Sequence, residues 1–87
     1  MNALVSIITP SYNSAKFIAE TIQSVQNQTY SNWEMIIVDD GSSDETENVV
    51  LSIIENDNRI QFHKLSQNSG PAVARNTGIE KASGDYM

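Results

Sequence analysis

The feature that most constrains the fold of this chain is an apolar run that ends directly in two adjacent carboxylates. Residues Met35 to Val38 are all apolar, Asp39 and Asp40 follow, and Gly41-Ser42-Ser43 breaks the pattern. An apolar run without alternation is typical of a strand that is buried on both faces, as in a parallel sheet. In open α/β sheets, ligands bind in the crevice beyond the carboxyl ends of such strands. The sequence therefore predicts two carboxylates at a ligand-binding edge.

The segments around this strand alternate between strand-like and helix-like patterns. In order, they predict a strand at Ala3–Thr9 that Pro10 ends, a helix at Ala15–Asn27, a strand at Trp33–Val38, a helix at Asp44–Glu55 with Asp44 as N-cap, a strand at Arg59–Leu65 and a helix at Pro71–Ala82. Asp85-Tyr86-Met87 resembles the beginning of a fourth strand. Alternation of this kind implies right-handed crossovers and a parallel sheet with helices packed on its faces. The predicted fold class is α/β, with three α/β/α layers.

The charge of the chain argues against one class of partner. Eleven acids and five bases give a net charge of −6, whereas nonspecific binding to nucleic acid needs a basic surface. Residues 31–58 contain no Lys or Arg, so a phosphate-bearing ligand would depend on later bases, helix N-termini or a metal ion. The alternative interpretation of this charge is an acidic, solubilising surface.

Composition also bears on location. The chain has no cysteine, which excludes disulfides and thiolate metal sites. Its apolar runs are far shorter than the roughly 20 residues of a membrane span, and its first residues lack the basic start of a secretory signal. These observations predict a soluble, cytoplasmic segment, and a membrane-peripheral position of the full-length protein remains open.

The roles of the two adjacent carboxylates remain open at this point. Adjacent residues on a strand point to opposite faces, so one of Asp39 and Asp40 can face the crevice while the other binds turn amides. A carboxylate in the crevice can accept hydrogen bonds from a base N–H or a ribose hydroxyl. Alternatively, both carboxylates satisfy the turn and the start of the next helix.

Two further stretches are predicted to lie near the same edge. Thr9 and Pro10 end the first predicted strand, and Tyr12 after them either stacks on a flat ring or packs over the first helix. Arg75 lies in a helix otherwise made of small residues, which allow close approach to the sheet. It reaches either a phosphate or an edge carboxylate, or it forms an internal ion pair with an Asp.

Several familiar sites are missing from the sequence. It contains no GxGxxG and no GxxxxGK[ST] motif, the usual signatures of dinucleotide sites and P-loops. No His lies near Ser42 or Ser43 in the sequence, which argues against a hydrolase nucleophile. His63 is the single histidine and therefore a poor candidate for a metal ligand.

Four segments together resemble the N-terminal part of family 2 glycosyltransferases of the GT-A fold. They are Val5–Asn13, Ser24–Tyr30, Trp33–Asp44 and Gly70–Gly78. The resemblance implies the Rossmann-like half of a GT-A fold with strand order 3-2-1-4. It also implies transfer of a sugar from a nucleotide diphosphate sugar, commonly a UDP-sugar, to an acceptor hydroxyl, in polysaccharide or glycoconjugate biosynthesis.

The resemblance also implies the residues that bind the nucleotide: Thr9, Pro10, Tyr12, Asp39, Asp40 and Arg75. Thr9 and Pro10 would line the base pocket, and Tyr12 would lie against the base ring. Asp40 would accept a hydrogen bond from the ring N–H of the base, and Asp39 would support it or reach the ribose. Arg75 would contact the base or the phosphate side.

In such enzymes an Asp-x-Asp element after the fourth strand binds Mn²⁺ or Mg²⁺, and a later carboxylate is the general base. Neither is found in this sequence, so residues 1–87 are expected to be the nucleotide-sugar-binding part of the domain, with no catalytic residue and no metal ligand. The divalent cation is implied only for the complete enzyme, and the isolated chain is expected to be inactive. Without a fourth strand, the first strand at Leu4–Thr9 would be an edge prone to self-association.

Two alternatives compete with this interpretation. A non-catalytic nucleotide-binding or assembly module could use the same fold. A receiver-type phosphoacceptor domain also carries an Asp pair at a strand end, but its pair follows the first strand and requires a further Asp and a Lys that this chain lacks at suitable places.

Overall fold

The computed structural model describes residues 3–84, which form a parallel sheet with helices on both faces. The elements are β1 (Val5–Ser11), α1 (Ile18–Gln26), β2 (Trp33–Asp39), α2 (Thr46–Ile54), β3 (Ile60–Lys64) and α3 (Pro71–Lys81). Their type and order confirm the predicted α/β alternation. The predicted fourth strand, Asp85-Tyr86-Met87, lies outside the described residues. No helix within residues 3–84 is long and apolar enough to cross a membrane.

β2 is the central strand of the sheet. It pairs in parallel with β1 on one side and with β3 on the other, which gives the order β1-β2-β3. This order agrees with the 3-2-1 part of the predicted topology. Every residue of β2 is buried, because helices cover both faces of the sheet. The alignment of Ser11 with Asp39 brings the carboxyl ends of β1 and β2 to one edge.

The side chains of β2 alternate between two apolar layers. Met35 and Ile37 pack with Ile22 of α1 and Val50 of α2. Ile36 and Val38 pack on the opposite face with Ala74 of α3. Successive side chains of a strand point to opposite faces, so an uninterrupted apolar run supplies both layers. The predicted three-layer arrangement is confirmed.

α3 lies unusually close to the sheet. Ala74 and Gly78 are buried against it, and a Cβ built on Gly78 would lie only 2.4 Å from Cγ2 of Ile8. The small residues predicted to permit close approach do so at these positions.

The predicted end of the first strand at Pro10 is wrong. Pro10 lies inside β1, aligned with Val38, and the strand continues to Ser11. Within residues 3–84, β1 has a neighbouring strand on one side only. A proline is tolerated on such an edge, because its missing N–H can face away from the paired strand.

Helices α1 and α2 begin later than predicted, at Ile18 and Thr46 rather than at Ala15 and Asp44. The backbone carbonyl of Ser14 accepts hydrogen bonds from the N–H groups of residues 17 and 18, which holds a turn before α1. Asp44 still acts on the start of α2, because its side chain accepts a hydrogen bond of 3.0 Å from the backbone N–H of Thr46.

Candidate functional site

A cavity of about 280 Å³ lies where β1 and β2 end and α3 begins. Its lining residues are Pro10, Ser11, Tyr12, Asp40, Asn68, Gly70, Pro71 and Ala74. This volume is close to the lower end of the range for small-molecule sites, roughly 300 Å³. The cavity is at the carboxyl edge of the sheet, where the position of the two adjacent carboxylates predicted a ligand site.

Asp39 is fully buried and is not among the residues that line the cavity. Its Oδ1 accepts hydrogen bonds from the hydroxyls of Ser11 at 2.8 Å and Ser42 at 2.5 Å. Its Oδ2 accepts from the backbone N–H of Ser42 at 2.7 Å. Asp39 therefore satisfies the turn after β2 and ties this turn to the end of β1.

Asp40 lines the cavity and is 6% exposed. Its two oxygens accept hydrogen bonds from the backbone N–H groups of Ser69, at 2.6 Å, and Gly70, at 2.9 Å. Since a carboxylate has about four acceptor positions, Asp40 can hold this loop and still accept a bond from a ligand. The positive end of the α3 dipole, beginning at Pro71, also favours its charge.

The loop before α3 fits tightly against the turn after β2. Gly41 has a φ of 78°, and a Cβ built on it would lie 3.3 Å from the backbone nitrogen of Asn68. A side chain at this position would therefore meet both an unfavourable backbone conformation and the loop. Asn68 and Gly70 of this loop also line the cavity.

Of the other predicted site residues, Pro10 and Tyr12 line the cavity, whereas Thr9 and Arg75 do not. The side chain of Tyr12 is 50% exposed, so its ring is available for stacking. Thr9 is half-buried in β1, aligned with Ile37.

Arg75 is exposed on α3 and lines a separate groove along β1 together with residues 5–8 and Ile79. The ion pairs formed within residues 3–84 join Arg59 to Asp57 and Lys64 to Glu47. The predicted alternative of an ion pair between Arg75 and an Asp is therefore not found in this part of the chain. The structure separates Arg75 from the cavity lined by Asp40.

A hydrogen-bonded bridge between the loops after β1 and β2 was not predicted from the sequence. Asn13 has a φ of 47°, its backbone N–H donates to Ser42 Oγ at 2.8 Å, and its Oδ1 accepts from the backbone N–H of Ser43 at 2.9 Å. Asp44 accepts a bond of 3.2 Å from the backbone N–H of Ala15. The hydroxyl of Thr46 holds the pKa of Asp44 below its ordinary value.

Five of the lining residues were also not predicted: Ser11, Asn68, Gly70, Pro71 and Ala74. The available signal was the Gly70-Pro71 pair, which marks the start of a helix after the third strand. In a parallel sheet that helix begins at the same edge as the carboxylates.

The carboxylates of the cavity edge do not form a metal site. Among the described residues, no three His, Asp or Glu side chains gather in a way that could hold a metal ion. The oxygens of Asp39 and Asp40 are all engaged by N–H or hydroxyl donors. With no third carboxylate or imidazole of residues 3–84 beside them, Asp39 and Asp40 lack the ligand set of a divalent-cation site, whereas Asp40 keeps an acceptor position for an N–H donor.

The fold defines a class of protein when it is compared with solved structures. The mannosyltransferase PcManGT from Pyrobaculum calidifontis, solved with GDP-Man and Mn²⁺, matches with a TM-score of 0.90 and 28% identity, over 98% of this chain and 26% of that chain. TarS 1-349 of S. aureus in complex with UDP matches with a TM-score of 0.85 and 32% identity, over 95% of this chain and 25% of that chain. These are glycosyltransferases of the GT-A type.

Residues 6–87 match the profile of Glycosyl transferase family 2, and the chain belongs to this family. The glycosyltransferase TuaG of Bacillus subtilis (strain 168) is 49% identical over 84 residues, which are 97% of this chain and 33% of that protein. The UDP-Glc:alpha-D-GlcNAc-diphosphoundecaprenol beta-1,3-glucosyltransferase WfgD of Escherichia coli is 46% identical, over 97% of this chain and 32% of that protein. The chain thus spans about a third of the length of these relatives. The resemblance stated from the sequence is confirmed.

Proposed function

We propose that this chain is the nucleotide-binding part of a glycosyltransferase that transfers a sugar from a UDP-sugar to an acceptor hydroxyl. The observation that carries the proposal is that buried Asp40 and half-exposed Tyr12 line the same cavity. A planar base can stack on Tyr12 while its ring N–H donates to the carboxylate of Asp40. Family membership and the UDP complex of TarS support a uracil nucleotide as the ligand.

The predicted site residues then divide into two groups. Pro10, Tyr12 and Asp40 would contact the base directly, because they line the cavity. Asp39 would support these contacts, since its carboxylate accepts a hydrogen bond from the hydroxyl of Ser11, which lies between Pro10 and Tyr12 in the chain. Thr9 and Arg75 are proposed as contacts of the remaining nucleotide, with Arg75 on its phosphate side.

The role of Asp40 is tested by calorimetric titration of the chain with UDP and UDP-sugars, with and without Mn²⁺. Replacing Asp40 by Ala removes an acceptor for the base N–H, and hydrogen bonds to charged groups contribute about 1.5–3 kcal/mol. We therefore expect Asp40→Ala to weaken UDP binding by about 10- to 100-fold.

Glu20→Ala is the matched control for this experiment, because it also removes one negative charge, from an exposed position on α1. It should leave UDP affinity within about twofold of wild type. Asp40→Asn preserves the volume of the side chain while it removes the charge and one of the two acceptor oxygens. Equal UDP affinity of wild type and both Asp40 variants would refute the assigned role.

The complete enzyme is proposed to use a divalent cation, Mn²⁺ or Mg²⁺, which stabilises the leaving diphosphate as a Lewis acid. PcManGT was solved in complex with GDP-Man and Mn²⁺, whereas residues 3–84 supply no suitable ligand set. We expect the isolated 87-residue chain to bind UDP without hydrolysing or transferring the sugar. Turnover of a UDP-sugar above background by this chain would contradict that expectation, and a full-length protein that binds UDP without turnover would favour a non-catalytic module.

Self-association of the chain through β1 is a further part of the proposal. Within residues 3–84, β1 is an edge of the sheet, and its flank carries an apolar groove that includes Val5, Ile7 and Ile8. Exposed apolar strand edges tend to pair with other chains. Sedimentation velocity at increasing concentration should show dimers or larger species, and a strictly monomeric chain at high concentration would count against it.

A further inference from the structure

Tyr12 is an exposed residue between two firmly held neighbours. On one side, the Ser11 hydroxyl donates to Asp39 at 2.8 Å and the Ser11 carbonyl accepts from the backbone N–H of Asp40 at 2.8 Å. On the other side, Asn13 bonds the turn after β2 through its backbone N–H and its side-chain oxygen. The ring of Tyr12 is free, whereas the backbone that carries it is fixed.

These contacts form a hydrogen-bonded network that connects the two neighbours of Tyr12 through the turn after β2. Asp39 accepts from the hydroxyls of both Ser11 and Ser42, and Ser42 Oγ accepts in turn from the backbone N–H of Asn13. The buried carboxylate of Asp39 is therefore the common acceptor that links the two neighbours of Tyr12. Loss of one hydrogen bond in this network weakens the constraint on the backbone of Tyr12.

Asn13 contributes two separate properties to this network. Its φ of 47° lies in the left-handed region, which Asn and Asp adopt at lower cost than most other residues with a side chain. Its Oδ1 accepts the bond from the backbone N–H of Ser43. Glycine would supply only the backbone conformation, whereas Asp would supply both the conformation and the acceptor.

We propose that Asn13 is a positioning residue that fixes the backbone of Tyr12, and with it the place from which the aromatic ring projects to stack on the ligand base. The inference rests on the proposed nucleotide-binding function. A backbone segment that is already held in place before the ligand arrives loses less conformational entropy on binding. Asn13 contributes to affinity through Tyr12, without itself belonging to the residues that line the cavity.

The test is a double-mutant cycle measured by UDP titration calorimetry. Asn13→Gly keeps the backbone conformation and removes the acceptor, so we expect about three- to tenfold weaker UDP binding. Asn13→Asp keeps both properties and should restore affinity to within about twofold of wild type. In a Tyr12→Ala background, Asn13→Gly should cause no further loss of UDP affinity, because the aromatic ring that Asn13 positions is absent.

Four outcomes are decisive. The proposal is supported if Asn13→Gly weakens UDP binding, Asn13→Asp restores it, and Asn13→Gly has no effect in the Tyr12→Ala background. An equal loss in both backgrounds overturns it, since Asn13 would then act on the whole edge independently of Tyr12. Wild-type affinity of Asn13→Gly also overturns it. Absence of UDP binding by the wild-type chain refutes the proposed function and, with it, this inference.

Ser42→Ala takes the place of Asn13→Gly in the cycle if Asn13→Gly fails to fold, as judged by its circular dichroism spectrum. Ser42→Ala interrupts the same hydrogen-bonded network on the β2 side, because Ser42 Oγ is the acceptor for the backbone N–H of Asn13. Its effect on UDP affinity must also vanish in the Tyr12→Ala background. A loss that persists there would overturn the positioning role.

Discussion

The central strand β2 carries a buried carboxylate near each end, and both bind backbone amides that flank the same helix. Asp40, just beyond its carboxyl end, accepts from the N–H groups of Ser69 and Gly70 before α3. Glu34, near its amino end, accepts from the N–H of Ser83 after α3 at 2.7 Å. Asp40 is 6% exposed and Glu34 is 8% exposed, so burial alone does not distinguish them.

The two ends differ in what surrounds the carboxylate. Asp40 lines a cavity together with the exposed ring of Tyr12, whereas Glu34 lines neither described cavity. Glu34 also accepts a bond of 2.5 Å from the hydroxyl of Ser6 on β1. The comparison shows that a buried carboxylate bonded to backbone amides can hold a helix in place without belonging to a ligand site. The adjoining cavity is what marks one end as a candidate ligand site.

The two carboxylates also stand at opposite poles of the α3 dipole. Asp40 lies at the positive, amino-terminal end, where its charge is favoured, and Glu34 lies near the negative end, where it is not. Burial would raise the pKa of Glu34, but hydrogen bonds from Ser6 and Ser83 outweigh it and hold this pKa below its ordinary value. At this end of β2, the ionised form of Glu34 is stabilised by the hydrogen bonds that Ser6 and Ser83 donate to it.

The largest effect on stability is expected from Glu34→Ala. The variant leaves the hydroxyl of Ser6 and the N–H of Ser83 without their buried acceptor, which should lower the free energy of unfolding by about 2–3 kcal/mol. Urea denaturation of the 87-residue chain measures this loss, with the exposed Glu20→Ala as the control. UDP affinity should stay within about twofold of wild type. A loss of affinity as large as that of Asp40→Ala would break the distinction between the two ends.

An intermediate effect is expected in the middle of α3, from Gly78→Ala. Replacing a helical Gly by Ala gains about 1 kcal/mol in helix propensity. The new Cβ would lie 2.4 Å from the branched methyl Cγ2 of Ile8, and such overpacking costs about 1–3 kcal/mol. We expect a net destabilisation of about 1 kcal/mol by urea denaturation. Asn76→Ala, at an exposed position of α3, is the control and should be neutral or stabilising; a stabilised Gly78→Ala would show that α3 is not clamped to the sheet.

The smallest effect is a pH dependence that arises at the Glu34 end. Because the folded-state pKa of Glu34 lies below its ordinary value of 4.5, ionised Glu34 stabilises the fold above that value. This contribution is lost as the pH falls through the lower folded-state pKa. The stability difference between wild type and Glu34→Gln should therefore shrink from about pH 6 to about pH 3. Urea denaturation at both pH values checks this, and a constant difference would contradict it.

The fold was predictable because its strongest signals are local. The apolar run before Asp39 specifies a doubly buried strand, and the helical spacing of Ile18 and Ile22 specifies a helix that covers it. Pro10 misled the prediction, since the sequence does not show that its N–H position faces away from the neighbouring strand. Helix starts were also displaced, because turn contacts such as those at Ser14 depend on the loop geometry.

The candidate site was predictable only in part. The position of Asp39 and Asp40 at the strand end followed from the sequence, but the division of labour between them depends on which backbone amides approach each carboxylate. Glu34 lies within the predicted strand Trp33–Val38, but its burial was not predicted, because Glu is almost never fully buried unless it is paired. Its hydrogen-bond partner Ser83 is 49 residues away in the chain, beyond the range of any sequence pattern.

The contact of Gly78 with Ile8 also bears on the choice of ligand. Gly78 is seven residues, or about 10 Å of helix, from Pro71, which forms part of the cavity wall. The spacing between α3 and the sheet is fixed at this contact, so a bulkier residue at position 78 would act as a wedge and tilt the helix. We therefore expect substitutions at position 78 to change the width of the cavity, and with it the size of ligand that fits, without changing any cavity-lining residue.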